Sequence, residues 1–247
     1  MNGFETCTAI DFGIIYAYVI IMALMDYRAS FTEEDLKFVV QTLDRSLGQT
    51  ASLESLVQDH DTLEAILEHD VLHAALIDNV GCLQVSPTFY FYVLTGNVLR
   101  RAGIRNRTLC RYLTSILVTF SKMHSMEPVE NDSHGKNFPY ISDLLIALEK
   151  ASSSRAFHLQ VFTGNYALFI SGMFLERVEA HARRHGAPGI GFYEGVGMQS
   201  FHLAAHHPRV HDPQLVTLYE ELGDEFHRVR LALNEMSEKR MHFHDAA

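Results

Sequence analysis

The chain has 247 residues, 47% of them hydrophobic and 20% charged, with a net charge of −10 when histidine is neutral. That length and apolar content support a sizeable core and exclude an intrinsically disordered chain. The acidic balance repels nucleic acid and anionic membrane on average, so no nucleic-acid partner is expected.

The first element is an apolar run, Gly13 to Met25, reading GIIYAYVIIMALM. It is shorter than the about 20 residues a lone transmembrane helix needs, and it lacks the basic flank and cleavage site of a signal peptide. A helix buried against the body or a partner is expected there, with no transmembrane span, while membrane contact through its face stays open. Next, Ser30 with Glu33, or Thr32 with Asp35, forms a capping box. The helix it opens carries an apolar face from Phe31 through Leu36–Val40 to Leu47, and Gly48 stops it. Asp61 and Glu64 make another box, leading into one helix with Leu63, Ile66, Leu67, Val71 and Ala74 as its stripe.

Ser86-Pro87 is a strong helix start, with serine as N-cap and proline in the first turn. That helix ends at Gly103, and Asn106 caps the next, which runs to about Lys122. Residues 123–138 mix Pro, Asn, Asp, Ser, His and Gly and read as the longest loop. Pro139 starts a further helix. Ser153 or Ser154 opens the apolar segment that holds Gly164 and Gly172, two positions expected to allow close helix crossing. LERVEAHARRH then stops at Gly186, a glycine-softened helix from Phe192 ends before Pro208, and Asp212-Pro213 caps one long terminal helix. No segment alternates over a convincing strand length.

These elements predict an all-α protein, a compact bundle or orthogonal array of about ten helices. A single helical domain over residues 1–247 is expected, with any sub-boundary in the loop 123–138. Cys7, Cys82 and Cys110 stand far apart with no C-x-x-C pair. This excludes a thiolate zinc site and points to a reducing, cytoplasmic compartment.

Chemistry has few candidate seats. The chain holds 15 histidines, several in pairs four residues apart: His69/His73, His181/His185, His202/His206 and His207/His211. On the helix after Phe192, Glu194, Met198, His202 and His206 follow at steps of four along one flank, so a carboxylate and two imidazoles there suit a divalent metal, iron or zinc. His69-Asp70 with only His60 upstream does not complete the pattern of the helical HD phosphohydrolases. Arg100, Arg101, Arg105, Arg107 and Arg111 gather around one helix–helix connection, where backbone amides at the next helix start favour an anion or an acidic partner surface. No P-loop, dinucleotide fingerprint or nucleophile elbow occurs. The leading expectation is a helical interaction or assembly module, bound to a protein partner or to itself as a homo-oligomer; the alternative is a metal-dependent helical enzyme.

Overall fold

Side-chain caps at Thr32, Asp59, Ser86, Asn106 and Asp212 start five of the helices. In the computed structural model, which describes residues 30–47, 59–78, 84–125 and 140–241, eleven helices and no strand occur among the described residues. The apolar run Gly13–Met25, Cys7, Cys82, residues 126–138 of the expected loop and the helix start expected at Pro139 lie outside them. The helices are α1 (Glu33–Leu47), α2 (His60–Leu67), α3 (Asp70–Asp78), α4 (Pro87–Arg101), α5 (Arg107–Ser125), α6 (Ile141–Glu149), α7 (Ser153–Met173), α8 (Leu175–His185), α9 (Ile190–Ala205), α10 (Pro213–Asp224) and α11 (Phe226–Met241). None is long and apolar enough to cross a membrane. Residues 30–118 with 238–241 form one compact unit and 119–237 another, the division falling inside α5.

In the first unit, a carboxylate organises two helix starts. Thr32 N donates to Asp35 at 2.8 Å and Asp35 N to Thr32 Oγ1 at 3.2 Å, so the capping box forms in the Thr32/Asp35 register. The same buried Asp35 accepts from Ser86 N at 2.6 Å and Ser86 Oγ at 2.7 Å, while Ser86 Oγ accepts from Phe89 N at 3.1 Å. One side chain therefore caps α1 and fixes the cap of α4. Phe31 and Phe38 meet Phe89 edge-on, at 5.4 and 6.0 Å between ring centroids.

The helix expected to run on from Glu64 is instead two. Asp59, not Asp61, is the N-cap of α2, accepting from Thr62 N at 2.9 Å. The break falls at Glu68–His69, where His69 N closes a tighter turn onto Ile66 O and His69 Nδ1 accepts from Val71 N at 3.3 Å. The turn re-aims the chain, so Leu63 and Leu67 are buried before it and Leu72 and Leu76 after it; Ala74 is exposed.

In the second unit, α7 is buried all round over Val161–Phe169, the signature of a central helix. It packs against α6, α8 and α9, and α9 against α10. Glycines act as sockets for large side chains. A Cβ on Gly164 would stand 3.0 Å from the Phe201 ring, one on Gly172 2.9 Å from Leu233, and one on Gly197 2.2 Å from the Phe226 ring. The close approach expected at Gly164 and Gly172 is thus met from within the chain. At the end of α7, Asn234 Nδ2 donates to Ser171 O at 2.9 Å and Gly172 O at 2.6 Å, and Ser237 Oγ to Met173 O at 2.8 Å, so α11 caps carbonyls that the helix leaves unpaired. The long terminal helix is also two, α10 and α11, separated at Glu225.

Candidate anion-binding cleft

The connection between α4 and α5 is a sequence of caps. Ile104 N donates to Leu99 O at 2.9 Å and Gly103 N to Arg100 O at 3.0 Å, a Schellman closure that requires the left-handed backbone of Gly103 (φ 77°). Ile104 is buried and anchors the turn. Two residues later Asn106 Oδ1 accepts from Leu109 N at 3.0 Å and opens α5. The turn thus presents the positive end of α5 beside arginines at the end of α4.

A cleft of about 390 Å³ lies at this turn. Its wall is apolar and mostly out of water: Leu67, Tyr92, Gly96, Leu99, Ile104 and Cys110. Its rim is polar, formed by Glu68, Arg100, Arg105, Asn106 and Arg107. Burial pushes the Cys110 thiol up to about 12, so it remains protonated and serves as wall. Burial likewise raises the Tyr92 phenol.

The five predicted arginines have different occupations. Arg107 pairs with Glu64 at 2.5 Å and with Glu68 at 3.7 Å. Arg111 pairs with the other oxygen of the same buried Glu64. Burial disfavours the charged Arg111, but its hydrogen bond to Glu64, the charge of Glu64 and the neighbouring Tyr92 together outweigh this and raise its pKa. Arg100 pairs with Asp70, which Asn97 Nδ2 also meets at 2.9 Å, and the hydrogen bond from Arg100 holds the Asp70 carboxyl below its usual value. Arg100 Nε is buried without a hydrogen-bond partner. Arg101 is exposed and lines no part of the cleft. Arg105 is exposed on the rim and has no ion-pair partner among the described residues.

The sequence singles out Glu64 as a cap residue and Asp70 beside His69, but not Glu64, Glu68 and Asp70 as the counter-charges of the arginines, although Glu64 and Glu68 stand four apart at helical spacing. Tyr92, Gly96 and Leu99 follow the same rule along α4, and that periodicity was the available signal for a shared wall.

In the second unit, Glu194 and His202 lie on α9 and His206 is its C-cap residue, and the three face different partners. Glu194 accepts from Arg230 Nε at 2.5 Å and contacts His227 Nδ1 at 2.7 Å. Burial raises the Glu194 pKa, but the hydrogen bonds from Arg230 and His227 win and leave it below its usual value. His202 Nε2 stands 3.5 Å from Asp224, and His206 Nε2 3.9 Å from Glu220 while its Nδ1 meets His202 O at 2.9 Å. Among the described residues no group of three or more His, Cys, Asp or Glu is arranged to hold a metal. Of the glycines on this helix, Gly197 receives Phe226 and Gly195 faces open space. The His181 and His185 rings meet at a tilt of 45°, centroids 4.8 Å apart, in the last turn and a half of α8.

No family model matches the chain, and neither does any curated protein or solved structure.

Proposed function

We propose that the protein is a helical binding module whose site is the cleft at the α4–α5 turn, and that it holds an anionic group of a ligand or partner. One observation carries this reading. On the rim of a cleft of ligand size, Arg105 has no counter-charge among the described residues, whereas Arg100 and Arg107 beside it are neutralised. A fixed positive charge at the start of α5, on a chain of net charge −10, concentrates anions at that point.

Arginines engaged with Glu64 and Asp70 hold their guanidinium planes in place before a ligand arrives, which lowers the ordering cost of binding. Arg105 then supplies the charge that is not already spoken for.

The test is thermal stability in the presence of simple carboxylates and phosphates at constant ionic strength. A ligand that binds only the folded state raises the melting midpoint as its concentration rises. At least one anion should do so in the wild type and lose the effect in Arg105→Gln, while Arg184→Gln on α8 leaves it intact. The same shift in both variants, or none in the wild type, would overturn the reading.

A further inference from the structure

We infer that the ligand of this cleft is an amphiphilic monocarboxylate, its apolar tail on the Leu67–Leu99–Ile104 wall and its single negative charge at Arg105. This rests on the anion-binding reading of the cleft and narrows it to one chemical class.

The charge balance sets the valence. Arg100, Arg105, Arg107 and Arg111 stand at or just behind the cleft, facing Glu64, Glu68 and Asp70. Four positive groups against three negative ones leave one positive charge. A monoanion brings the set to neutrality. A dianion such as a phosphate monoester would leave an excess negative charge beside Glu68, a rim residue.

The wall sets the body. Leu67, Leu99 and Ile104 are nine-tenths or more buried and Tyr92 adds a ring, so the interior has little to offer a second polar group. A Cβ on Gly96 would meet only Cys110 Sγ, at 3.7 Å, so α4 leaves room there for a guest. Among the described residues that line the cleft, the one buried donor without an acceptor is Arg100 Nε, on a rim residue; Arg111 Nε, also buried without an acceptor, belongs to a residue behind the wall. Polar recognition is therefore confined to the mouth, and the ligand enters tail first with its charge outermost.

Isothermal titration calorimetry on the full chain separates the readings, with octanoate, hexanoate, octanol, octylamine, octyl phosphate and inorganic phosphate as probes. Octanoate should bind, more tightly than hexanoate by about two- to fourfold per methylene, and at least about tenfold more tightly than octanol. Arg105→Gln should weaken octanoate about three- to tenfold and leave octanol unchanged. Gly96→Leu, which fills the cleft without touching a charge, should abolish both, with circular dichroism confirming that its helices are intact. Should that variant unfold, the Arg105→Gln and octanol comparisons decide alone. Tighter binding of octyl phosphate than of octanoate, or inorganic phosphate binding as well as octanoate, overturns the monocarboxylate inference and leaves an anion site standing. Octylamine binding as well as octanoate, or no probe binding at all, overturns both.

Discussion

Alanine at Gly195 and alanine at Gly197 should act in opposite directions, though the two positions are one residue apart from adjacent on the same helix. A Cβ at Gly197 would lie 2.2 and 2.3 Å from two carbons of the Phe226 ring. That ring is fully buried and packs against Phe201, itself seated on Gly164, so it has no free direction in which to retreat. Overpacking of this kind costs about 1–3 kcal/mol, and a blocked ring belongs at the upper end. The gain in helix propensity from Gly to Ala returns about 1 kcal/mol, leaving a net loss of about 2 kcal/mol. A Cβ at Gly195 meets nothing within 4 Å, so only the gain of about 1 kcal/mol remains. For a chain of this size 1 kcal/mol moves the melting midpoint by about 2–4 °C. Gly197→Ala should therefore melt roughly 4–8 °C below the wild type and Gly195→Ala roughly 2–4 °C above it, read by circular dichroism at 222 nm as the usual helical band (about 222 nm). Gly223→Ala is the internal control: its Cβ would press on the His202 ring at 2.6 Å, but that side chain is 41% exposed and can swing away. Its midpoint should stay near that of the wild type. A Gly197→Ala protein that melts at or above the wild type would refute the socket argument.

Glu64→Ala should be the most damaging change in the first unit, because it strands Arg107 and Arg111 without their shared carboxylate; a loss of about 3 kcal/mol in urea unfolding is expected, against under about 1 kcal/mol for the exposed Glu68→Ala. Asn234→Ala removes donors to Ser171 O and Gly172 O and the acceptor of buried Arg230, and should cost about 1–3 kcal/mol by the same measurement. The folded-state pKa of Glu194 is depressed below 4.5, so its contribution is complete above that pH and is lost as pH falls through the folded value. Stability measured from neutral pH down into acid should fall less steeply in Glu194→Gln than in the wild type, and parallel acid limbs would show that the Arg230 pair is not linked to protonation.

How much of this could be read from the sequence depends on the range of the interaction. Helix starts at Ser86-Pro87, Asn106 and Asp212-Pro213 were legible because an N-cap bonds within three residues of itself. The stop at Gly103 was legible for the same reason. The choice between the Ser30/Glu33 and Thr32/Asp35 boxes was not, because Asp35 is held by Ser86, 51 residues away. The break between α2 and α3 was hidden since apolar residues keep a helical period across Glu68–His69, and only burial on the tertiary core shows that the register changes there. Glu194 and His202 do lie on α9, with His206 at its C-cap, but the partners that decide what they do, Arg230, Asp224 and Glu220, come from α10 and α11. Spacing reports a shared flank; it carries no information about what the neighbouring helices bring to it.

The same limit explains why the arginine cluster was visible as charge and invisible as a division of labour. Arg107 and Arg111 point to Glu64 on α2, a helix that begins about fifty residues upstream, and Arg100 to Asp70 on α3. These pairs fasten two short helices to the α4–α5 turn, so substituting Arg107 or Arg111 would confound binding with folding. Arg105 takes part in none of them. A charge that contributes to no ion pair among the described residues, placed where a capped turn and an apolar wall already exist, can be removed at little cost to the fold. Binding and stability should therefore separate at this one position: Arg105→Gln should weaken anion binding and keep its unfolding midpoint, whereas Glu64→Ala should impair both.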